Sequence, residues 1–149
     1  MTINIGVAGC LGRMGSELVK KIIQDKNANF SGGFEHAGHK DINKIIRDVL
    51  GCASDKKILD TGKDIFDNSD VVIDFTIPQS TKLNIDLALE TKTPLIIGTT
   101  GLDQTVMNLI NKASNTVSIL QSTNMSLGVN VLTNLVEKSA AALSASNYD

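Results

Sequence analysis

The sequence predicts an α/β fold with a doubly wound, mainly parallel sheet. Short apolar runs alternate with amphipathic segments along nearly the whole chain, as expected of strands that are each followed by a covering helix. A glycine-rich turn directly follows the first apolar run. The 149 residues match the usual length of one domain, so we predict a single domain over residues 1–149.

Six short apolar segments, most of them rich in β-branched residues, are predicted to be strands. They are residues 3–8, 30–34, 58–59, 71–75, 95–97 and 117–120. Their alternation with helical segments is what favours parallel pairing, since parallel neighbours need a crossover connection.

Five segments carry apolar residues one helical turn apart and are predicted to be helices. They are residues 15–24, 41–50, 78–90, 103–113 and 129–143, the last ending in the Ala/Ser-rich stretch AAALSAS. Pro78 suits the first turn of its helix, where an N–H group has no helical partner. In that helix, Leu83, Leu87 and Ala88 are predicted to face the core.

Composition and charge exclude several classes of protein. The chain has 14 Lys and Arg against 16 Asp and Glu, a net charge of −2 that lacks the basic balance of a nucleic-acid-binding domain. It has no apolar run of about 18 residues that would span a membrane, and its N-terminus does not resemble a secretory signal. The two cysteines, Cys10 and Cys52, form no CxxC pair and suit a reducing compartment. We therefore predict a cytoplasmic protein that binds neither nucleic acid nor membranes.

The glycine-rich turn, residues 9–15 (GCLGRMG), lies between a predicted strand and a predicted helix, which is the setting of a dinucleotide-binding turn. Gly9 permits the tight turn, Gly12 lets a pyrophosphate approach the backbone, and Gly15 lets the helix pack against the strand. The helix N-terminus offers free N–H groups to the phosphates, and Arg13 adds a cation. The spacing G-x-x-G-x-x-G departs from the common G-x-G-x-x-G. The alternative is a strand–helix turn that binds no ligand.

Glu35 follows this turn by about 20 residues, at the end of the second predicted strand. A carboxylate there accepts the ribose hydroxyls of an adenosine, which is the contact that selects NAD; a solvated loop carboxylate is the alternative. His36 helps a 2′-phosphate less than an arginine would, so both NADH and NADPH are candidate cofactors. His36 and His39 have no cysteine or carboxylate at metal-ligand spacing, so we predict surface residues and no metal site.

Three further polar segments follow the last three predicted strands, at residues 74–78, 98–101 and 122–126. Ligands of open α/β sheets bind outside the carboxyl ends of the strands, so together these segments predict a groove for the ribose and nicotinamide half of the cofactor. Taken singly, each is equally an ordinary turn with a helix cap. Asp74 lies inside a buried strand and is predicted to be structural rather than a base.

Five motifs, in this order, resemble the N-terminal part of the dihydrodipicolinate reductase (4-hydroxy-tetrahydrodipicolinate reductase) family. They are VAGCLGRMG (7–15), FEHAG (34–38), VIDFTIP (72–78), IIGTTG (96–101) and STNMSLGVN (122–130). The resemblance covers essentially the whole chain. It implies a Rossmann-type NAD(P)-binding domain in an enzyme that reduces a cyclic imine dicarboxylate with NADH or NADPH, in diaminopimelate and lysine biosynthesis.

The resemblance also implies which residues contact the cofactor. At the pyrophosphate and adenosine end they are Gly9, Cys10, Leu11, Gly12, Arg13, Met14, Glu35 and His36. At the nicotinamide end they are Phe75, Thr76, Gly98, Thr99, Thr100, Ser122, Thr123, Asn124 and Met125. The family is a cytoplasmic homotetramer that assembles largely through a second domain.

One departure from the family concerns the substrate. The family's E-x-H-H-x-x-K-x-D-x-P-S-G-T segment, which carries the proton-donating histidine and the groups that hold the substrate carboxylates, is not found in this chain. After Lys112 the only basic residue is Lys138, whereas a dicarboxylate needs fixed cations and an imine needs a positioned acid. We therefore expect no catalytic residue in this chain, little or no turnover by the chain alone, and a substrate-binding and tetramerisation domain absent from it.

Two other functions remain open from the sequence. A non-catalytic NAD(P)-binding sensor or docking module would also lack the substrate segment, although it would not need the motifs at the nicotinamide end. An S-adenosylmethionine methyltransferase shares the glycine-rich turn and the acidic residue, but its ligand has no pyrophosphate for Arg13 and the helix N-terminus to hold. Binding of NADH rather than S-adenosylmethionine separates these hypotheses.

Overall fold

A computed structural model describes residues 2–143 as a six-stranded sheet with helices packed on both faces. The strands are β1 (Ile3–Ala8), β2 (Ala28–Phe34), β3 (Ile58–Leu59), β4 (Val71–Asp74), β5 (Leu95–Ile97) and β6 (Ile119–Gln121). The helices are α1 (Arg13–Gln24), α2 (Ile46–Leu50), α3 (Lys63–Asp67), α4 (Pro78–Thr91), α5 (Gln104–Ala113) and α6 (Leu127–Leu143).

The strands are ordered β3-β2-β1-β4-β5-β6, and every neighbouring pair is parallel. The chain first runs outward from β1 to β3 and then crosses to β4 on the other side of β1. The strand order therefore reverses between β1 and β4, whose last residues, Ala8 and Asp74, are in register. Ligands of such sheets bind at this reversal, outside the carboxyl ends of the strands. The predicted fold class is confirmed.

Two hydrophobic clusters lie on opposite faces of the sheet. Val7 belongs to a cluster with Val19 and Ile22 of α1, whereas its neighbour Ala8 belongs to a larger cluster that includes Ile85 of α4. Successive residues of a strand point to opposite faces, so β1 contributes to both clusters and is buried between them.

The helix predicted over residues 41–50 is wrong in its first half, because only Ile46–Leu50 is helical. Asn43 adopts a left-handed conformation (φ 67°), and its N–H donates to the carbonyl of Ile58 at 2.9 Å. Ile45 forms an isolated antiparallel bridge with Lys57. The backbone of this segment is thus hydrogen-bonded to a distant part of the chain, which replaces the local helical bonds that the apolar spacing predicts.

The prediction that Leu83 faces the core is also wrong, because 66% of its surface is exposed. The buried positions of α4 are Thr81, Asn84, Ile85 and Ala88, which follow the spacing of one helix face. Two of these four residues are polar, so the buried face does not stand out as an apolar stripe in the sequence.

Other differences concern boundaries. Helix α3 was not predicted, and α1, β2 and α6 each begin two residues earlier than predicted. Strand β4 ends at Asp74, and β6 begins at Ile119 and ends at Gln121. The Ala/Ser-rich end of the last predicted helix, from residue 144 onward, lies outside the described residues. Within the described range, no helix combines the length and apolar character that crossing a membrane requires.

Candidate functional site

The glycine-rich turn joins β1 to α1 at the point where the strand order reverses. Gly9 has a left-handed backbone (φ 69°), which favours glycine, and its N–H donates to the carbonyl of Phe34 at 2.9 Å. The N–H of Gly12 donates to the carbonyl of Gly9 at 3.0 Å and closes the turn. A Cβ atom on Gly15 would collide with the carbonyl oxygen of Gly9, so only glycine lets α1 start this close to the turn.

The N-terminus of α1 has no side-chain cap. Gly12 is the N-cap residue, and the first helical bond runs from the N–H of Ser16 to the carbonyl of Gly12. The N–H groups of residues 13–15 therefore have no partner within the helix and add to the positive end of its dipole. Arg13 and Met14 are the first two residues of the helix, and both are exposed. This arrangement is suited to binding an anion.

Glu35 directly follows β2 and is tied to the glycine-rich turn. Its Oε1 accepts a hydrogen bond from the backbone N–H of Leu11 at 2.7 Å, and its own N–H donates to the carbonyl of Leu59 at 2.9 Å. The side chain is half-buried, and the other carboxylate oxygen has no protein partner among the described residues. Glu35 is thus held in place with one oxygen available to a ligand hydroxyl.

A cavity of about 740 Å³ opens beside the turn. One wall is formed by the turn and the ends of β2 and β4, including predicted site residues from three segments. These residues are Gly9, Leu11, Gly12, Glu35, His36, Phe75 and Thr76. The opposite wall is one face of α4, with Ser80, Leu83, Asn84 and Leu87. The volume is in the range of cavities that enclose most of a small-molecule ligand.

The wall formed by α4 is not predicted by the sequence. The sequence pattern predicts that Leu83 and Leu87 face the core, and it gives no signal for Ser80 and Asn84. Asn84 is 2% exposed, and its Nδ2 has no hydrogen-bond partner among the described residues. The spacing 80, 83, 84, 87 is that of one helix face. It would have been a usable signal once Thr81, Ile85 and Ala88 were known to face the core.

The Cys10 side chain points away from the cavity. It is fully buried, and a Cβ on Gly33 would lie 2.8 Å from its Sγ, so the thiol packs tightly on β2. Burial, and secondarily the nearby charge of Glu35, raises the pKa of the Cys10 thiol to about 12. Only the backbone of Cys10 is therefore placed to meet a ligand.

The ends of β4 and β5 are joined through Asp74. Its Oδ1 accepts hydrogen bonds from the backbone N–H and the hydroxyl of Thr76 and, at 3.2 Å, from the hydroxyl of Thr99. The Thr99 hydroxyl in turn accepts from the N–H of Thr76 at 3.0 Å. The fully buried Asp74 thus holds two site segments together, which is a structural role. The ring of Phe75 packs on Gly98, where a Cβ would collide with it.

The segment after β6 is organised by its own polar side chains. The hydroxyl of Ser122 donates to the carbonyl of Asn124 at 2.9 Å, and Oδ1 of Asn124 accepts from the N–H of Ser126 at 2.9 Å. These residues lie at the same sheet edge as the turn, but they do not line the cavity. The same is true of the other predicted nicotinamide-side residues, namely Gly98, Thr99, Thr100, Thr123 and Met125.

Two further features offer other kinds of site, namely a second groove and the histidine pair on the wall of this cavity. A polar groove of about 460 Å³ lies at the opposite edge of the sheet, near the starts of β1 and β2 at Asn4 and Asn29, and contains no predicted site residue. His36 and His39 lie with their ring centroids 5.6 Å apart. No group of three or more His, Cys, Asp or Glu residues in the described part of the chain is arranged to hold a metal ion.

Comparison with known proteins identifies the family. Residues 3–125 match the family model described as dihydrodipicolinate reductase, N-terminus. The chain is 38% identical over 141 residues to 4-hydroxy-tetrahydrodipicolinate reductase of Ehrlichia canis (strain Jake), which covers 95% of this chain and 52% of that protein. It is 40% identical over 149 residues to the enzyme of the same name from Wolbachia sp. subsp. Drosophila simulans (strain wRi), covering 100% of this chain and 55% of that protein.

A solved structure supports the same fold. Dipicolinate-bound dihydrodipicolinate reductase from Paenisporosarcina sp. TG-14 superposes with a TM-score of 0.70 at 19% identity, over 95% of this chain and 54% of that one. The chain thus spans about half the length of the relatives it matches. The family model matches most of the chain, and both relatives have the same name. On these grounds the chain belongs to the dihydrodipicolinate reductase family, of which it matches the N-terminal part.

Proposed function

We propose that this chain is the cofactor-binding half of a 4-hydroxy-tetrahydrodipicolinate reductase. Such an enzyme transfers a hydride from NADH or NADPH to a cyclic imine dicarboxylate, in diaminopimelate and lysine biosynthesis. The observation that carries the proposal is the uncapped N-terminus of α1. This N-terminus follows a turn that requires glycine, and it lies beside the cavity and Glu35. The shared fold alone would not carry it, because one fold hosts many functions.

The pyrophosphate fits the N-terminus of α1. A Cβ on Gly12 would lie 3.2 Å from the carbonyl oxygen of Gly9, and it would leave the pyrophosphate less room to approach the backbone. The free N–H groups of residues 13–15 and the helix dipole supply positive charge, and the exposed Arg13 guanidinium adds a full charge. An S-adenosyl ligand has no phosphate and would leave this arrangement unused.

The adenosine fits the cavity. The free oxygen of Glu35 accepts a ribose hydroxyl while its other oxygen holds Leu11, so binding requires no movement of the carboxylate. Leu83 and Leu87 offer apolar surface to a flat base. This accounts for the exposure of Leu83, whose burial would then occur on ligand binding.

The nicotinamide fits the ends of β4, β5 and β6, which continue along the sheet edge from the part of the cavity lined by Phe75 and Thr76. Phe75, Thr76 and Thr99 are held in fixed positions by the Asp74 hydrogen bonds and by the packing on Gly98. Thr100, Ser122, Thr123, Asn124 and Met125 lie at the same edge. The cofactor supplies the hydride, and these residues orient the ring and limit the access of water to it.

Substrate binding, protonation and tetramer assembly are proposed to come from a further domain. The support is that the chain spans about half the length of its relatives, and that no residue of α6 is buried. Val129, Leu132 and Val136 on this helix are each about half exposed or more, which is apolar surface that a further domain would cover. The free thiols of Cys10 and Cys52 suit a cytoplasmic location.

The test is a titration of the chain with NADH and NADPH, followed by the fluorescence of the bound nicotinamide, with reduction of the imine dicarboxylate assayed on the same sample. We expect saturable binding without turnover, and turnover in a version extended to the length of the relatives. Arg13→Gln should weaken binding about tenfold or more through loss of a charge-assisted contact, whereas Lys21→Gln, at the other end of α1, should not.

Binding of S-adenosylmethionine in place of NADH would contradict the proposal. Turnover by the chain alone would contradict the assignment of a cofactor half.

A further inference from the structure

The polar groove near the starts of β1 and β2 lies beside helix α3. This helix has only five residues, so it covers only part of the sheet face on which it packs. The groove has a volume of about 460 Å³, which is large enough for a small molecule. Most of its lining is polar or charged, and it includes Asn29, Ser31, Lys56, Lys57 and Asp64. None of its lining residues belongs to the proposed dinucleotide site.

A β-bulge in β2 directs Ser31 toward this groove. Two consecutive residues of β1 pair with Phe30 and Gly32, so Ser31 is an extra residue on β2. Phe30 and Phe34, four residues apart, therefore belong to hydrophobic clusters on opposite faces of the sheet, whereas a regular strand would place them on the same face. Bulges are rare between parallel strands, and where they occur beside functional sites they redirect a side chain.

Two glycines let α3 pack directly on the backbone at the bulge. A Cβ on Gly6 or on Gly32 would lie 2.5 Å from a side-chain atom of Ile65. Gly32 also has a positive φ of 151°, a conformation that favours glycine. Because Ile65 is buried against these two positions, the floor of the groove has a fixed shape.

The hydroxyl of Ser31 keeps a free acceptor. Oγ of Ser69 donates its only hydrogen to the carbonyl of Ile65 at 2.6 Å. In the 2.6 Å contact between the Ser31 and Ser69 hydroxyls, Ser31 is therefore the donor. A lone pair of the half-buried Ser31 Oγ thus remains available to an N–H group of a ligand in the groove.

A chain of hydrogen bonds orients Asn29 beside it. Nδ2 of Asn29 donates to Oδ1 of Asn4 at 2.7 Å, and Nδ2 of Asn4 donates to Oδ2 of Asp70 at 3.0 Å. Oδ1 of Asn29 accepts no hydrogen bond from the residues that the structure describes. Asn29 therefore offers a second oriented acceptor to a ligand.

The charged side chains of the groove are not neutralised by the protein. Lys56 and Lys57 precede β3, and Asp64 lies on α3. Within the described range, none of the three has an ion-pair partner within 4.0 Å. The lining thus combines two cations with one carboxylate, and uncharged acceptors lie between them on β2.

We propose that this groove binds a small amino dicarboxylate, a molecule with two carboxylates and one ammonium group. The lysines hold the two carboxylates, while Asp64 and the acceptor of Ser31 hold the ammonium group. The charges of the ligand and of the lining are then complementary in number and in sign. The groove lies at the edge of the sheet opposite the glycine-rich turn, so this ligand does not compete with a dinucleotide.

The experiment is a calorimetric titration of the chain at low salt and about pH 7.5, where all of these groups are charged. The probes are L-glutamate, glutarate, which lacks the ammonium group, and L-glutamine, which has the same shape but one carboxylate fewer. We expect L-glutamate to bind with a Kd below about 1 mM and the other two to bind about tenfold more weakly or not at all.

Variants of the chain test the location of the site. Lys57→Gln and Asp64→Asn should each weaken L-glutamate binding about tenfold. Asp67→Asn is the matched control on α3, because Asp67 does not line the groove. Arg13→Gln is the control for the N-terminus of α1. Both controls should bind L-glutamate like the unmodified chain, and thermal denaturation of each variant checks that it is folded.

Each other outcome would overturn the proposal. Absence of L-glutamate binding up to about 10 mM would exclude the site, and equal binding of glutarate would exclude the role of Asp64. Unchanged binding in both Lys57→Gln and Asp64→Asn would place the ligand elsewhere, and loss of binding in Arg13→Gln would place it at the N-terminus of α1. Titration of the same samples with NAD⁺ tests the dinucleotide site separately, because the two sites share no residue.

Discussion

Oε1 of Glu35 accepts a hydrogen bond from the backbone N–H of Leu11 at 2.7 Å, which joins the end of β2 to the glycine-rich turn. The carboxylate therefore joins two segments of the protein through one oxygen, while the role toward a ribose is proposed for the other. Hydrogen bonds to ionised acceptors are about twice as strong as neutral ones, so the inner bond helps to hold the turn in shape.

Glu35→Ala is expected to weaken NADH binding by about 1.5–3 kcal/mol and to weaken NADPH binding less, because the lost contact is to a hydroxyl that NADPH lacks. Glu35→Gln keeps an acceptor for Leu11 and should retain more of the stability of the fold. Cofactor titration and urea denaturation of both variants check this. Equal weakening of NADH and NADPH would contradict the ribose assignment.

Gly15→Ala is expected to destabilise the fold by about 1–3 kcal/mol or more, because its Cβ would collide with the carbonyl oxygen of Gly9. The matched control is Gly128→Ala in α6, where a Cβ meets only the Ser126 hydroxyl at 3.9 Å. That change should be neutral or stabilise the helix by up to about 1 kcal/mol. Chemical denaturation measures both, and a tolerated Gly15→Ala would show that α1 packs less closely on the turn.

Thr99→Val is expected to cost about 1–2 kcal/mol of stability, because its hydroxyl both donates to Asp74 and accepts from Thr76. Thr100→Val, at the exposed neighbouring position, should change the free energy of unfolding by less than about 0.5 kcal/mol. Denaturation curves of the two variants give the comparison. Equal stabilities would mean that the Asp74 network contributes nothing to the fold.

Cys10 is expected to resist alkylation in the folded chain. Burial raises the pKa of this thiol from the ordinary 9.0 to about 12, so its thiolate fraction at about pH 8 is roughly a thousandfold lower than that of an ordinary thiol. Since the folded pKa is the higher one, this group contributes stability that is present below about pH 9 and is lost as the pH rises toward 12. Iodoacetamide labelling of a Cys52→Ser variant, with and without urea, checks the rate. Fast labelling without urea would contradict the burial of Cys10.

Leu83→Ala is expected to cost less than about 0.5 kcal/mol of stability, because Leu83 is mostly exposed. Ile85→Ala, two residues along the same helix and fully buried, should cost about 2–5 kcal/mol. Thermal or chemical denaturation measures both. If the two costs were reversed, α4 would pack on the sheet by the face that the sequence first predicts.

Much of the site was accessible from the sequence because its signals are local. Gly9, Gly12 and Gly15 fall between a strand and a helix, and Glu35 follows the next strand, so their placement at one sheet edge follows from parallel topology. The sequence of α4 contains no comparable signal for the wall that this helix forms. Two polar residues occupy the buried face of that helix, and an apolar leucine faces the cavity.

The sequence by itself determined the alternation of strands and helices and the glycine-rich turn, because each depends on residues close together in the chain; parallel pairing of the strands follows from that alternation. Only the tertiary structure decided that residues 43–46 pair with the segment before and within β3, that α4 turns Leu83 toward the cavity, and that His36 and His39 both line this cavity. These features depend on hydrogen bonds and packing between segments far apart in the chain, whose free energies exceed the local preferences of the residues involved.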